Sequence, residues 1–411
     1  MSSLEQLSVH GFRSIEQLEL VPGPICALVG EAKAGKSNLL AAIRAVLDPA
    51  VALDAGDVPR SGGEAEIVAR LSSGEVVTLG GGPAPPRRSG TDNAPPVIFL
   101  PAELRGSRLL AGDVTSARVS PVRALFDTAL AERVEPTEHG SRAAPALSLI
   151  DALHACLECS IASVVLLVEE PELFLRPQGQ RYLYRLLRQF AAHGNQVIYT
   201  THAPAFLNVA RLDELVFIER PRGSGTRAVD PPVPTPDEDF RVLSEFDAER
   251  AELLLSRAAI LVEGQTEKLA LPFVFAALGH DLDRAGITIV ECGGKWNIPL
   301  FARVCRAAGV PFVAVYDRDA PPGRRPSASN RAVAATITAL AGPERTVELA
   351  PDFEAVAGLQ QHRQGKPRTA WQHFAALDAD RIPAALVQVV ERTLAACSGG
   401  AGPSGAEAPE P

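Results

Sequence analysis

Gly30-Glu-Ala-Lys-Ala-Gly35-Lys36-Ser37 is a stretch whose spacing alone prescribes a chemistry. It reads GxxxxGKS and stands between an apolar run, Ile25–Val29, and a helical stretch over 38–47. Strand, glycine-rich turn and helix in that order make a phosphate loop. Gly30 and Gly35 let backbone N–H groups close around phosphate oxygens at a helix N-terminus. Lys36 is placed to reach the β- and γ-phosphates, and the Ser37 hydroxyl to take one position around Mg²⁺.

Two acids and a histidine follow at a second place. The run Val164–Val168 reads as a strand buried on both faces of a parallel sheet, and Glu169 and Glu170 stand at its carboxyl end. A helix over 178–192, with Leu183, Leu186, Leu187 and Phe190 on one face, returns the chain to a second buried strand at 196–199. That strand ends at Thr200-Thr-His202. Taken singly, such polar residues are more often solvated surface groups. Downstream of a phosphate loop they have the layout of a Walker B acid pair and a switch histidine in an ATPase of the ABC type.

The second half of the chain repeats the placement of acids at strand ends. Ala259–Val262 runs into Glu263-Gly264, with Glu267 four residues past Glu263; Ile287–Val290 runs into Glu291-Cys-Gly-Gly-Lys295; Phe312–Tyr316 runs into Asp317-Arg-Asp319. Helical stretches over 268–278 and 297–308 separate these strands, which makes them parallel and lines their acids along one edge. Each acid alone would be a turn or helix cap. Three strands in succession ending in acid instead suit divalent cations, which prefer hard oxygen ligands. Two such ions could clamp the attacking and leaving oxygens of phosphodiester hydrolysis.

Length and composition bound what these centres belong to. With 411 residues the chain has room for two or three domains of about 150 residues each. Its net charge of −9 excludes a protein that grips nucleic acid by bulk positive charge, so a DNA site must be a local patch or be bridged by metal ions. Basic residues are mostly arginine; the lysines are Lys33, Lys36, Lys268, Lys295 and Lys366, each in or beside a motif. No apolar run approaches the ~20 residues of a membrane span, and no charged-then-apolar leader precedes the first strand. The cysteines are scattered, and Cys156-x-x-Cys159 lies in a leucine-rich helix without partner ligands, which favours packing over zinc. A reduced, cytoplasmic protein away from the membrane is expected.

Between the motifs, alternation over 4–20 suggests two strands around Gly11-Phe-Arg-Ser14, and 66–71 with 76–79 reads as a hairpin. Residues 80–96 read as a loop, 97–100 as a strand, 104–142 as a short arginine-bearing arm, 147–159 as a helix and 215–219 as a strand. The expected division is a first domain over 1–220, a linker over 221–245, a second domain over 246–396 and a disordered tail over 397–411. Helical stretches at 246–257 and 382–396 bracket the second domain.

The motifs GFRS at 11–14, the phosphate loop at 30–37, EEPE at 169–172, TTHAP at 200–204, VEGQTE at 262–267, GGK at 293–295 and DRD at 317–319 come in a telling order. Over roughly residues 4–375 the chain resembles the OLD (overcoming lysogenization defect) family of ATP-dependent nucleases. The resemblance implies an α/β fold in which an ABC-type P-loop ATPase head is followed by a C-terminal Toprim (Rossmann-like) domain. It implies ATP and Mg²⁺ in the head, a homodimer, DNA as partner and metal-dependent DNA cleavage, with Mn²⁺ an alternative ion in the Toprim domain. By matching position, Glu170 polarises the attacking water, His202 senses the γ-phosphate and Glu169 orients Mg²⁺. Glu263, Glu267, Asp317, Asp319 and Glu354 hold the nuclease metals, and Lys366 meets the developing phosphorane charge. Where ABC heads carry an LSGGQ-like signature, this chain offers Gly140-Ser141 without the second glycine. Arg176 stands where Leu-His-Pro is common.

The expected function is therefore an ATP-binding, divalent-metal-dependent DNA endonuclease in phage defence or DNA processing, with a helicase or another defence protein as a further partner. Its rival is an ATP-gated DNA-binding sensor whose Toprim domain is catalytically idle. Clustered, unpaired carboxylates destabilise a fold unless metal or solvent offsets them, which favours the nuclease. A primase or topoisomerase would share the Toprim acids, but the ATPase head and the absence of a tyrosine in a breaking–rejoining context disfavour it.

Overall fold

Period-two alternation at the N-terminus becomes β1 (Leu4–Phe12) and β2 (Ile15–Leu20) in the computed structural model, with Leu4, Leu7, Val9, Phe12, Ile15, Leu18 and Leu20 all buried. The described residues are 2–54, 56–58, 63–82, 87–90, 94–102, 144–173, 175–207, 209–221, 224–229, 250–320, 323–359 and 366–399. The expected arm at 104–142, with Gly140-Ser141, lies outside them, as do 230–245 of the expected linker and 400–411 of the expected tail. The chain divides into two compact units, Met1–Pro231 and Pro232–Pro411.

In the first unit, β3 (Ile25–Val29) leads through the phosphate loop into α1 (Lys36–Leu47), so the helix takes in Lys36 and Ser37 ahead of the expected start at 38. Then come β4 (Ala65–Leu71), β5 (Val76–Gly81), β6 (Arg87–Ser89) and β7 (Val97–Leu100). The strand β6 falls where a loop was expected. It pairs antiparallel with β5, and the Arg88 guanidinium donates to Ala45 O, Val46 O and Val51 O at 2.6, 3.0 and 2.5 Å. Carbonyls at the end of α1, which have no partner within the helix, thereby acquire one.

The remainder of this unit is α2 (Ala144–Glu158), β8 (Val165–Glu169), α3 (Pro177–Ala192), β9 (Gln196–Thr200), β10 (Leu215–Glu219) and β11 (Arg227–Val229). Proline at the first position of α3 fits a site where no intrahelical N–H bond is needed. Two sheets result. One is antiparallel, in the order β2-β1-β4-β5-β6; the other runs β11-β10-β3-β9-β8-β7 and is parallel apart from β11. Register does the positioning: Glu169 of β8 sits opposite Thr200 of β9, so the acid pair and the Thr-Thr-His segment leave the sheet side by side.

The second unit is a parallel sheet in the order β13-β12-β14-β15, built from β12 (Ala258–Val262), β13 (Ile287–Glu291), β14 (Phe312–Asp317) and β15 (Thr346–Leu349). The longer helices between them are α4 (Gln265–Ala277), α5 (Ile298–Ala307) and α6 (Ala328–Ala341), and the longer ones after them are α7 (Lys366–Phe374) and α8 (Ala384–Gly399). Residues 250–255, within the helix expected at 246–257, form a 3₁₀ stretch. Residues 397–399, which the expected tail takes in, instead end α8, along which Val389, Val390, Thr393 and Ala396 are buried. Ordering those turns is offset by the apolar surface they cover. No helix among the described residues is long and apolar enough to cross a membrane.

Candidate active sites

Each unit holds one centre at the carboxyl ends of its parallel strands, where open α/β sheets place ligands. In the first unit the phosphate loop is held from behind by the β10–β11 hairpin. A Cβ at Gly30, whose φ is +156°, would lie 2.1 Å from Ile218 O, and one at Gly35, φ +111°, would lie 2.3 Å from Thr226 Oγ1. Only glycine fits these close approaches with such backbone angles. Thr226 Oγ1 donates to Ala34 O at 2.9 Å and meets Ser14 Oγ at 2.9 Å, while Asn38 Nδ2 donates to Ser14 Oγ at 2.7 Å. Sequence reasoning missed this brace, because Thr226 lies in a stretch that reads as linker.

Lys36 is buried, and its ammonium donates to Gly30 O at 2.7 Å and Glu31 O at 2.8 Å. Burial lowers its pKa to about 8, against the opposing charges of Glu170, Glu172 and Glu31. Ser37 is exposed in the first turn of α1. Glu169 ends β8, and its Oε2 accepts from Ala102 N at 3.1 Å. Glu170 has a left-handed φ of +43°, fixed by its N–H donating to Thr200 O at 3.0 Å and Thr200 Oγ1 at 3.1 Å. That turn brings its carboxylate 3.9 Å from His202 Nε2. Burial and the positive charge of Lys36 lower the His202 pKa, with Glu170 opposing, so the ring is held toward its neutral form.

Glu172 is a further residue of this centre that sequence reasoning passed over. It is 7% exposed, and its Oε1 accepts from Thr201 Oγ1 at 2.7 Å and from His202 N at 2.8 Å. Its Oε2 is buried without a hydrogen-bond partner. Burial raises its pKa, only partly countered by those bonds. The side chain ties the acid-bearing turn after β8 to the histidine-bearing turn after β9. The signal in the sequence was its place in EEPE, but nothing local told it from a surface glutamate.

In the second unit, Glu263 Oε1 accepts from Asp317 N at 2.7 Å, and Asp317 Oδ1 accepts from Phe353 N at 2.8 Å. Glu267, 5% exposed in the first turn of α4, and Glu354, also buried, complete the neighbourhood. Burial, then the charges of Glu263 and Glu267, push the Asp317 carboxyl up to about 8. Burial, with Glu263 and Glu354 adding to it, pushes Glu267 to about 7. Burial and Asp319 raise Glu263 as well. Asp319 is exposed with a φ of +57°, and its Oδ2 lies 3.3 Å from both Lys295 Nζ and Asn330 Nδ2. Lys295, 3% exposed, also donates to Asp317 O and lies 4.8 Å from the Tyr316 ring centroid. Of Lys366 only the backbone, at the start of α7, is described.

The donor set fits a hard divalent cation in its chemistry: acids whose charged forms are disfavoured by burial and by one another are the ones a cation would stabilise. Among the described residues no three His, Cys, Asp or Glu side chains already stand together as a ligand cluster. Two carboxylate oxygens are engaged by backbone amides, and Lys295 supplies the positive charge beside Asp319.

Residues 254–319 match the family model described as "Overcoming lysogenization defect protein-like, TOPRIM domain", and 147–208 match an AAA domain model. Over 246 residues the chain is 35% identical to the OLD nuclease of Thermus scotoductus, covering 55% of this chain and 46% of that protein. It is 25% identical over 192 residues to the Old nuclease of Escherichia phage P2, covering 44% and 33%. The chain thus spans less than half the length of these curated relatives. A solved structure, the C-terminal region of the Burkholderia pseudomallei OLD protein, matches 34% of this chain and 98% of its own at 20% identity, with a TM-score of 0.30.

Proposed function

From the premise that this chain joins an ABC-type ATPase head to an OLD-like Toprim domain, we propose that it is an ATP-binding, divalent-metal-dependent DNA endonuclease. The observation that supports the reading is the placement of Glu263, Glu267 and Asp317 at the carboxyl ends of β12 and β14 and the start of α4, where Glu263 Oε1 accepts from Asp317 N at 2.7 Å and burial raises the pKa of all three carboxyls. A fold retains such acids at a stability cost, which a function in cation binding accounts for.

In the head, Lys36 supplies a point charge for the β- and γ-phosphates, and Ser37 and Glu169 would hold Mg²⁺. Glu170 accepts the proton of the attacking water, and His202, kept neutral, hydrogen-bonds near the γ-phosphate. In the Toprim domain Glu263, Glu267, Asp317, Asp319 and Glu354 would hold Mg²⁺ or Mn²⁺. When bound, the cation supplies Lewis-acid stabilisation of the charge that builds on the phosphodiester. Lys366, through its place at the start of α7, is proposed to meet that charge from the protein side. The chain acts as a homodimer on DNA, in phage defence or DNA processing, in this reading.

The second reading, an ATP-gated sensor with an idle Toprim domain, draws support from Lys295, whose ammonium stands beside Asp319 where a cation would be expected. Nicking of supercoiled plasmid, with Mg²⁺ or Mn²⁺ and with or without ATP, separates the two. Nicking by the wild type and its loss in Asp317→Ala/Asp319→Ala are expected. A wild type that cuts no DNA form, or a double variant that cuts as well, makes the sensor the better account.

A further inference from the structure

Lys295, which precedes Trp296, and Asn330, within the segment 323–331, both reach Asp319. Trp296 is 55% exposed and follows Lys295, whose Nζ lies 3.3 Å from Asp319 Oδ2. Asn330 Nδ2 reaches the same oxygen, also at 3.3 Å, from the first turn of α6. The approach to that helix carries Arg324 and Arg325, and its first turn carries Arg331, all exposed. From Ala320 to Gly342 the chain has three arginines and no Asp or Glu, although its net charge is −9. Among the described residues none of the three is paired with an acid; Arg331 donates to the neighbouring Pro326 O.

An exposed indole offers an uncovered aromatic face to a ligand. Exposed guanidinium groups without acid partners are well suited to phosphate oxygens. Each feature adjoins in sequence a residue that contacts Asp319, a candidate ligand of the nuclease centre: Trp296 follows Lys295, and Arg331 follows Asn330. An indole face stacks on any nucleobase, but only on one not already stacked within a duplex. We propose that Trp296, with Arg324, Arg325 and Arg331, forms a track that holds a single strand of DNA across the Toprim centre, the arginines on phosphates and the indole on a base. The inference rests on the DNA nuclease reading and adds the form of DNA that the centre takes.

The test uses the full chain, a fluorescently labelled oligothymidylate and the duplex of the same length. Binding is followed by anisotropy in EDTA and in Ca²⁺. Trp296→Ala should weaken single-strand binding about tenfold, the scale of one lost base stack, leave duplex binding unchanged and be rescued by Trp296→Phe. Arg324→Ala/Arg325→Ala should reduce the slope of log affinity against log salt by roughly 1.4, two single-strand phosphate contacts' worth. Trp371 is the other tryptophan, so in Trp371→Phe the oligonucleotide should quench the emission of Trp296 alone. An unchanged affinity in Trp296→Ala, an equal loss on duplex and single strand, or unquenched emission overturns the track. So does self-association of the wild type that Trp296→Ala abolishes without any change in DNA binding, since the indole would then serve a second copy of the chain. An oligonucleotide held as expected by a protein that never nicks plasmid sinks the nuclease and leaves the track. Nicking by a wild type whose variants bind as it does sinks the track alone.

Discussion

At the scale of single residues, the head centre depends on a glutamate that contacts neither turn's chemistry directly. Glu172 binds Thr201 and the His202 amide through one oxygen and leaves the other buried and unpartnered, with its pKa raised by burial. Both hydrogen bonds are accepted by the one oxygen Oε1, and an amide oxygen can accept them in the same way. Glu172→Gln is therefore expected to keep ATP turnover close to wild type. Glu172→Ala leaves buried donors without an acceptor, a loss of about 1–3 kcal/mol, and should lower both the melting temperature and the ATPase rate. Comparing the two variants by thermal melt and phosphate release checks this; a Gln variant as slow as Ala would show that the charge itself is needed. Lys36→Ala should abolish nucleotide binding, whereas Glu170→Gln should preserve it and slow hydrolysis, because an amide cannot accept the proton of water. Equilibrium binding of a fluorescent ATP analogue distinguishes them, and equal loss in both would reverse the roles.

At the scale of elements, the ends of β12 and β14 and the start of α4 carry three carboxyls, Glu263, Asp317 and Glu267, whose pKa values burial raises. Asp317, at about 8, lies far above the unfolded carboxylate value of about 3.9. Between those values the folded unit holds a proton that the unfolded chain has lost. The corresponding stability is fully present below about 4 and is lost as pH rises through about 8. Glu267, at about 7, acts in the same direction over a window ending lower. In EDTA the melting transition of the second unit should fall as pH rises from 5 to 8, as followed by calorimetry. Mg²⁺ or Mn²⁺, which compete with those protons, should flatten or reverse the slope. A transition in EDTA that rises with pH across this range would contradict the raised values. The antiparallel sheet of the first unit offers a separate check, since Arg88 joins β6 to the end of α1 through Ala45 O and Val46 O, and to Val51 O beyond it. Arg88→Met should lower the melting temperature of the first unit and leave that of the second in place.

At the scale of the whole molecule, two centres stand in two units, each with its own sheet and its own buried core. Phosphodiester hydrolysis supported by a metal needs no energy from ATP. Lys36→Ala is accordingly expected to change the rate or regulation of plasmid nicking without eliminating the Mn²⁺-supported activity. Asp317→Ala/Asp319→Ala should eliminate nicking and leave nucleotide binding intact. Loss of both activities in either variant, with both units still folded by thermal melt, would show a coupling stronger than this division implies.

The sequence by itself determined the phosphate loop, the acid pair with its histidine, the strand-end acids of the second domain and the parallel α/β character of both. All of these are local: a motif's spacing sets which backbone and side-chain groups can meet, and unbroken apolar runs separated by amphipathic helices admit few topologies. Tertiary structure decided what depends on pairing across long separations. The two N-terminal hairpins became one sheet because β1 pairs with β4, placing Leu7 opposite Ala69. Thr226 became the brace of a loop almost two hundred residues upstream, and a stretch that reads as linker supplied it. Glu172 and Lys295 gained their importance from burial beside the turns of other strands. A side chain's burial and partners are set by the packing of the whole unit, and no window of sequence around it contains them.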